Sequence, residues 1–245
     1  MTDRLADAEL AAQLAQAAGQ IALAVRASGA FQGRTLGDIG DMMVNTFLTE
    51  ALKEQRARDG LLSEESRDTL DRLDREAVWI IDPIDGTNEY SLGRSDWAIH
   101  VGLAFDGEPD VGAVALPDRN LVLRSDQPLS PSNVPKRPRL VVSRSRPPVE
   151  AKAVAAALDA DTIPLGSAGA KAMAVVLGEA DIYLHSGGQH EWDSCAPVAV
   201  ALANGLHCSR LSGQELVYNQ IDTTMPDLLI CRPGLAEQVL AALRS

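Results

Sequence analysis

Cysteine, basic residues and long apolar runs are all scarce in this chain of 245 residues. Its three cysteines are an odd number at unrelated spacings, which favours a reducing cytosol over a disulfide framework and matches no zinc motif. No apolar run reaches the roughly 18 residues that a membrane-spanning helix needs. The first residues contain scattered acids and no continuous apolar stretch, so they do not resemble a secretory signal. We therefore expect a cytoplasmic protein without a membrane partner.

Positive charge is also in short supply. The chain has 22 lysines and arginines against 34 aspartates and glutamates, which gives a formal net charge of −12. Such a surface repels the phosphate backbone of DNA and RNA, so nucleic-acid polymers are poor candidates as partners. By the same reasoning, composition alone argues against a small polyanionic substrate. The apolar content of 46% excludes intrinsic disorder.

Hydrophobic periodicity predicts helices and short strands that alternate along the chain. Helical spacing is found at residues 4–25 and 41–55, and a glycine-rich loop is predicted between them. A continuous apolar run at 78–81 predicts a strand. Further strands are predicted at 98–105, 111–116, 121–124, 140–143, 181–185 and 228–231, and further helices at 148–158, 167–178, 193–203 and 235–243. The alternation predicts a layered α/β fold.

The clearest shift in composition is a stretch with four prolines at residues 127–138. We interpret it as the connection between an N-terminal α+β half, residues 1–126, and a C-terminal α/β half, residues 139–245. A long loop within one domain is the alternative.

The segment of greatest chemical interest, Asp82–Thr87, follows the predicted strand at 78–81. Its proline fixes one φ angle and lacks an N–H, and its glycine permits a turn that other residues resist. The carboxylates of Asp82 and Asp85 are then able to converge, with the carbonyl of Ile84 between them. Hard cations such as Mg²⁺ bind oxygen ligands of this kind. The free N–H groups after the turn are suited to hold an anion.

Two other acidic motifs accompany this segment. Ser63-Glu64-Glu65-Ser66 lies upstream, and Glu191-Trp192-Asp193-Ser194 lies at the start of a predicted helix. Each motif has an ordinary explanation, because Asp-Pro-x-Asp-Gly is a common turn sequence, Glu64 is compatible with a solvated loop, and Asp193 with a helix cap. The three motifs together favour one shared metal site.

In combination, the three motifs resemble those of the inositol monophosphatase-like superfamily of metal-dependent, lithium-sensitive phosphatases. Within it, the chain looks most like the CysQ-type 3′-phosphoadenosine 5′-phosphate phosphatases, the 3′(2′),5′-bisphosphate nucleotidases of sulfur assimilation. The subfamily similarity rests on Leu-Leu-Ser-Glu-Glu-Ser at 61–66, Asp-Gly-Thr-Asn-Glu-Tyr at 85–90, Val-Val-Ser-Arg-Ser at 141–145 and Gly-Ser-Ala-Gly-Ala-Lys at 166–171.

The resemblance implies an αβαβα sandwich, a homodimer, and hydrolysis of the 3′-phosphate of 3′-phosphoadenosine 5′-phosphate to AMP. The reaction it implies is in-line attack by a water that two or three Mg²⁺ ions activate. Hydrolysis of inositol-1-phosphate or fructose-1,6-bisphosphate is the alternative within the superfamily. Bound cations would reverse the local charge that the composition indicates. A metal-binding module without turnover is disfavoured, since every assigned ligand position still carries oxygen.

The resemblance also assigns roles to individual residues. The implied metal ligands are Glu64, Asp82, the Ile84 carbonyl, Asp85 and Asp193. The implied catalytic residues are Asp41, Glu64 and Thr87; Thr87 and Asp41 together orient the attacking water, with Asp38 as the competing candidate for the Asp41 role. The residues expected to face the substrate are Gly86, Thr87, Ser143, Arg144, Ser167, Lys171 and Glu191. For Arg144 and Arg146, contact with a second phosphate and simple exposure on a loop both remain open.

Overall fold

Two five-stranded sheets and three layers of helices make up the part of the chain that the computed structural model describes, residues 4–129 and 136–244. The first sheet has the order β1-β2-β3-β4-β5, with β1 and β2 parallel and the other pairs antiparallel. Its strands are β1 Gly60–Ser63, β2 Ala77–Asp85, β3 Ala98–Phe105, β4 Glu108–Leu116 and β5 Leu121–Arg124.

The second sheet has the order β7-β6-β8-β10-β9. Its β6 strand is parallel to both neighbours, whereas β10 is antiparallel to β8 and β9. The strands are β6 Arg139–Ser143, β7 Asp161–Leu165, β8 Ile182–His190, β9 His207–Ser209 and β10 Thr224–Cys231. The helices are α1 Arg4–Ala27, α2 Gly33–Gln55, α3 Thr87–Ser91, α4 Glu150–Leu158, α5 Ala168–Val176, α6 Glu191–Ala203 and α7 Pro233–Leu243.

Three apolar cores separate these layers. One lies between α1, α2 and one face of the first sheet. A second fills the space between the two sheets, where α5 and α6 lie, and a third joins the outer face of the second sheet to α4 and α7. The order of layers is helix, sheet, helix, sheet, helix, which confirms the predicted sandwich. In the described residues, no helix is both long and apolar enough to cross a bilayer.

The glycine-rich stretch before Asp41 is a loop only at residues 28–32 and is helical from Gly33 onward, so the predicted loop is too long. The α2 helix begins at Gly33, and two of its glycines lie where it packs against α3. A Cβ at Gly37 would lie 2.7 Å from Cγ2 of Thr87, and one at Gly40 would lie 2.7 Å from Cε1 of Tyr90. Glycine at these positions allows the two helices to approach closely. It lowers the helix propensity of the segment, but the helix still forms.

Three strands were not predicted from the sequence: β1, β7 and β9. All three are short strands at the edge of a sheet, where one side of the backbone has no partner and the alternation of apolar residues is weak. The predicted connection at 127–138 does separate the strands of the two sheets along the chain, and residues 130–135 within it lie outside the described residues. The core between the sheets belongs to both halves.

Candidate metal centre and active site

A bulge in β2 brings the two aspartates of the central motif to the same face of the sheet. In a regular strand, residues three apart point to opposite faces. Here Asp82 pairs with His100 and Asp85 with Ala98, so β2 contains one extra residue between them. The proline at position 83 suits a bulge, because it has no N–H to donate to the ladder. The two aspartates therefore lie on one face because the strand changes register between them, and the sequence pattern alone does not show this change.

Asp82, Asp85 and Asp193 form a compact carboxylate cluster. One oxygen of each lies within 4.8 Å of the others, although β2 and the start of α6 are far apart in the chain. Asp193 also accepts the His190 N–H at 2.7 Å, so it caps α6 as well as facing the cluster. Capping of the helix by Asp193 is therefore compatible with its predicted role as a metal ligand.

The donor set fits a hard divalent cation. All the clustered side-chain donors are carboxylate oxygens, which suit Mg²⁺. Oδ1 of Asp82 is buried and has no hydrogen-bond partner within the described part of the chain, an expensive arrangement unless a cation satisfies it. Burial, followed by the charges of Glu64 and Asp85, raises the pKa of Asp82 well above its usual range. These features are expected of a site built to hold positive charge.

Glu64 extends the cluster from the end of β1. Its backbone N–H donates to the Ile81 carbonyl at 3.4 Å, next to Asp82, and partial desolvation followed by the Asp193 charge raises the pKa of Glu64 to about 7. For Asp193, burial and then the charge of Asp85 raise the pKa to about 6. The acidic loop and the two aspartate motifs are therefore brought to one place.

Asp85 is the exception in this cluster, because it is held by donors. Its oxygens accept the N–H groups of Ala168, at 3.0 Å, and Gly169, at 2.5 Å, at the start of α5. The His100 ring nitrogen Nε2 lies 3.2 Å from Oδ2. Burial works against the charged form, but the His100 contact and these N–H groups hold the pKa of Asp85 below its usual value. Sequence reasoning did not single out His100, since a lone histidine in an apolar strand carries no motif.

Thr87 and Asp41 meet beside the cluster. The Thr87 hydroxyl donates to the Ile84 carbonyl at 3.2 Å, and the Asp41 carboxyl lies close enough for this hydroxyl to favour its charged form. Asp41 is only 7% exposed, and burial followed by the Glu65 charge raises its pKa to about 7. Asp38 points into solvent and pairs with Arg34. Of the two candidates, the structure places Asp41 at the site.

Two members of the cluster, Asp85 and Asp193, form part of the wall of a cleft of about 410 Å³. The predicted residues Gly86, Thr87, Ser143, Ser167 and Lys171 line it together with Asp85 and Asp193. Gly86 has a φ of 91°, and a Cβ there would lie 2.9 Å from Cβ of Ser167. Both the backbone conformation and the space therefore favour glycine at this position.

Lys171 contributes a buried ammonium to this cleft. Its Nζ donates to the carbonyls of Gly166, at 2.5 Å, and Ser167, at 2.6 Å, and lies 5.4 Å above the Tyr183 ring. Burial lowers the pKa of Lys171 to about 8, although the nearby aspartates oppose this change. The lysine therefore places a positive charge in the cleft, and no carboxylate of the described residues forms an ion pair with it.

Two residues that were expected to face the substrate have other partners. Arg144 is ion-paired with Glu89, at 3.2 Å, and with Asp96. Glu191 is 1% exposed and accepts the N–H groups of Asn219 and Gln220, each at 2.7 Å. Neither side chain lines the cleft within the described residues. Their partners come from distant parts of the chain, so no local pattern could have revealed them.

In the described residues, Arg146 lines the cleft and Arg144 does not. Arg146 lies on the exposed loop after β6, lines the cleft, and has no carboxylate partner in the described ranges. Its backbone N–H donates to the Ser143 hydroxyl at 3.2 Å, which fixes the start of the loop. Its guanidinium is available to an anion.

The raised pKa values predict how stability depends on pH in the metal-free protein. Asp41, Glu64 and Asp193 bind protons more tightly in the folded state than in the unfolded state, between about pH 4 and pH 7. The contribution of these three groups to the free energy of unfolding should therefore fall as pH rises, most clearly between about pH 5 and pH 7, where the acids with lowered pKa values are already ionised. Urea denaturation in a chelating buffer at a series of pH values measures it, and adding Mg²⁺ should weaken the trend because the cation competes with protons. A metal-free protein that gains stability over the same range would contradict this assignment.

Comparison with known proteins agrees with this geometry. The model of the inositol monophosphatase family matches residues 5–245. The chain belongs to the inositol monophosphatase family. The resemblance inferred from the acidic motifs is thereby confirmed, and the carboxylate cluster lies where those motifs meet.

Relatives within this family include several bisphosphate nucleotidases. A 3′-phosphoadenosine 5′-phosphate phosphatase from Mycobacterium leprae is 47% identical over 255 residues, covering 98% of this chain and 94% of the relative. One of the same name from Mycobacterium bovis is 49% identical over 237 residues, with 92% and 89% covered. The 3′(2′),5′-bisphosphate nucleotidase CysQ of Escherichia coli K12 is 28% identical over 73% of this chain and 77% of its own length.

Solved structures of the family support the fold. An inositol monophosphatase from Zymomonas mobilis matches all of both chains, with a TM-score of 0.82 and 21% identity. CysQ from Bacteroides thetaiotaomicron matches 93% of this chain and 97% of its own, with a TM-score of 0.80 and 21% identity. At this level of identity, the similarity shows the shared fold alone.

Proposed function

We propose that this protein is a Mg²⁺-dependent phosphatase that converts 3′-phosphoadenosine 5′-phosphate to AMP and phosphate. The observation that carries the reaction class is the buried carboxylate cluster beside a cleft that also contains Lys171 and Arg146. The substrate follows from similarity to phosphatases of that name over nearly the whole chain. Two or three Mg²⁺ ions per site, a homodimer and a cytoplasmic location belong to the same proposal.

Glu64, Asp82, Asp85, Asp193 and the Ile84 carbonyl would hold the cations. When bound there, divalent cations neutralise phosphate charge, lower the pKa of the attacking water and stabilise the leaving oxygen. The acid excess of the chain is then no obstacle to an anionic substrate, because its effect is reversed at the site.

Side-chain and backbone groups of the protein would orient the attacking water and the transferred phosphate. The Thr87 hydroxyl donates to the Ile84 carbonyl and lies close to the Asp41 carboxyl. If its O–H turns from Ile84 to Asp41, its oxygen can accept a proton from the attacking water while its own proton passes to the Asp41 carboxylate. The turn at Gly86 opens α3 beside the cluster, and the N–H groups of Gly86 and Thr87 are assigned to the transferred phosphate. Positioning and charge neutralisation are most of what phosphoryl transfer requires.

Arg146 and Lys171, the arginine and lysine that line the cleft in the described residues, are assigned to the second phosphate. Arg146 reaches it from the rim, and Lys171 contributes charge from the interior. A guanidinium binds phosphate through two parallel hydrogen bonds, and Arg144 is already committed to two carboxylates. The arrangement favours a substrate with two separate phosphates.

A comparison of three substrates tests this function. We expect kcat/KM at fixed Mg²⁺ to be highest for 3′-phosphoadenosine 5′-phosphate, and lower for inositol-1-phosphate and fructose-1,6-bisphosphate. If the adenosine bisphosphate is the slowest of the three, the substrate assignment is wrong, whereas the phosphatase assignment stands.

Arg146→Ala should raise KM for the adenosine bisphosphate without a comparable change in kcat. Loss of a charge-assisted contact worth about 1.5–3 kcal/mol corresponds to roughly a 10- to 100-fold increase. Adenosine 3′-phosphate, which lacks the second phosphate, is the internal control and should be affected much less. Equal losses for the two substrates would remove Arg146 from the second-phosphate site.

A further inference from the structure

His100 is a buried residue that none of the roles above accounts for. It lies in the middle of β3, opposite Asp82 in the register of the first sheet, and is 0% exposed. Complete burial of an imidazole is costly unless both ring nitrogens find partners. The contacts of its two ring nitrogens therefore indicate the function of His100.

Both ring nitrogens of His100 face oxygen atoms of the candidate metal site. Nε2 lies 3.2 Å from Oδ2 of Asp85; this charge contact does not reach hydrogen-bond geometry, and Nε2 has no hydrogen-bond partner in the described part of the chain. Nδ1 lies 3.0 Å from the backbone carbonyl of Trp192, and that carbonyl belongs to the peptide that leads directly into Asp193. One ring thus contacts the ligand on β2 and the backbone that carries the ligand on α6.

The start of α5 is built closely around the same ring. A Cβ at Gly169 would lie 2.1 Å from Nε2 of His100 and 3.1 Å from Oδ2 of Asp85, so this position has room for glycine only. The Gly169 N–H donates to the same carboxylate oxygen. The ends of β2, α5 and α6 therefore converge on one imidazole, although they are distant in the sequence.

We propose that His100 is a positioning residue that fixes the metal-facing orientation of Asp85 and Asp193 together. The inference rests on the proposed metal centre and goes beyond the roles assigned to its ligands. Partners that orient metal ligands typically change metal affinity by about 10- to 100-fold when they are removed. A residue needed only for packing would change the stability of the protein and leave the affinity for metal as it was.

Three substitutions separate the two contacts of the ring. His100→Leu removes both. His100→Gln places an amide nitrogen near the position of Nε2 and keeps a donor toward Asp85, whereas His100→Asn places one near Nδ1 and keeps the contact with the Trp192 carbonyl. His207→Leu is the matched control, since His207 is a half-buried histidine of β9 whose ring contacts Ser209.

Calorimetric titration of the full-length, chelator-stripped protein with Mn²⁺ measures the effect without relying on turnover. We expect His100→Leu to raise the Mn²⁺ dissociation constant by about 10- to 100-fold, His100→Asn to raise it more than His100→Gln, and His207→Leu to leave it unchanged. Thermal unfolding of each metal-free variant shows whether stability follows the same order.

Wild-type Mn²⁺ affinity in His100→Leu overturns the proposal, whatever happens to its stability. If that variant does not fold, wild-type affinity in both amide variants overturns it equally. Wild-type protein that binds no Mn²⁺ refutes the metal centre, and this proposal with it. Weakened binding in the His100 variants of a protein that binds Mn²⁺ but cleaves no 3′-phosphate supports the role of His100 and refutes only the proposed function.

Discussion

Asp82→Asn should abolish phosphatase activity and at the same time make the metal-free protein more stable. The Asp82 carboxyl is buried among other acids, and one of its oxygens lacks a hydrogen-bond partner in the described ranges. Replacing it by an amide of the same shape removes charge repulsion, so we expect a gain of about 1–3 kcal/mol in the free energy of unfolding. Loss of a ligand to catalytic cations should cost several kcal/mol of transition-state stabilisation, or roughly 10³-fold or more in rate.

The same substitution at Asp85 should also abolish activity but should destabilise the protein. Asp85 accepts the N–H groups of Ala168 and Gly169 and faces His100. An asparagine presents an NH₂ group to one of these donors, and leaving a buried donor unsatisfied costs about 1–3 kcal/mol. Two aspartates of one cluster, three residues apart, are thus expected to respond in opposite directions.

Thermal unfolding of both variants in the presence of a chelator measures this difference. In a protein of this size, 1 kcal/mol corresponds to about 2–4 °C in Tm, so the two variants should lie on opposite sides of the wild type. Full activity in either variant would contradict the metal-site assignment. A loss of stability in Asp82→Asn would show that its carboxylate has a structural partner.

Asp41→Asn should strongly lower kcat and leave metal binding unchanged. The Asp41 carboxyl lies close to the Thr87 hydroxyl beside the cluster, and an asparagine cannot accept the proton of the attacking water. Positioned acids and bases typically contribute about 10²- to 10⁴-fold to rate, so kcat should fall by that amount. The Mn²⁺ dissociation constant, measured by calorimetry, should stay within about threefold of the wild-type value, because Asp41 is not assigned as a ligand.

Asp38→Asn is the matched control for this prediction. It removes the same charge three residues away on α2, but Asp38 is exposed and its carboxylate faces Arg34 at 3.7 Å. We expect wild-type kcat. The opposite result, loss of kcat in Asp38→Asn but not in Asp41→Asn, would exchange the roles of the two residues.

The sequence motifs predicted which acids the structure brings together, because each motif lies where a strand or helix ends or begins. The layered fold was predictable for a related reason, since its buried strands and helices have strong apolar patterns. The exact way in which Asp82 and Asp85 reach one face was not predictable, because a bulge leaves no mark in the order of residues. The family resemblance placed these residues at one site without giving the reason.

Residues whose partners are distant in the chain were the ones predicted least well. Arg144 is bound by Glu89 and Asp96, and Glu191 holds the backbone at residues 219 and 220. A charged side chain near a site is available to a substrate only when no protein group has already neutralised it. That condition depends on tertiary contacts, and it favours Arg146 over Arg144.

The glycines before Asp41 show how a local rule fails for a physical reason. Glycine disfavours helix by about 1 kcal/mol relative to alanine, and three glycines within nine residues indicate a loop. In the structure, Gly37 and Gly40 allow α2 to approach Thr87 and Tyr90 closely. Packing thus outweighs propensity, and this close packing is what brings Asp41 to Thr87.

Hydrolysis of 3′-phosphoadenosine 5′-phosphate by chelator-stripped protein, before and after Mg²⁺ is restored, tests whether the carboxylate cluster is a catalytic metal site. Phosphate release is followed with time, and the nucleotide product is identified by chromatography. The carboxylate cluster predicts no turnover in the chelator, recovery with Mg²⁺, and AMP as the product. Turnover that persists without metal would contradict the metal-dependent mechanism. A restored reaction that yields adenosine 3′-phosphate would contradict cleavage of the 3′-phosphate.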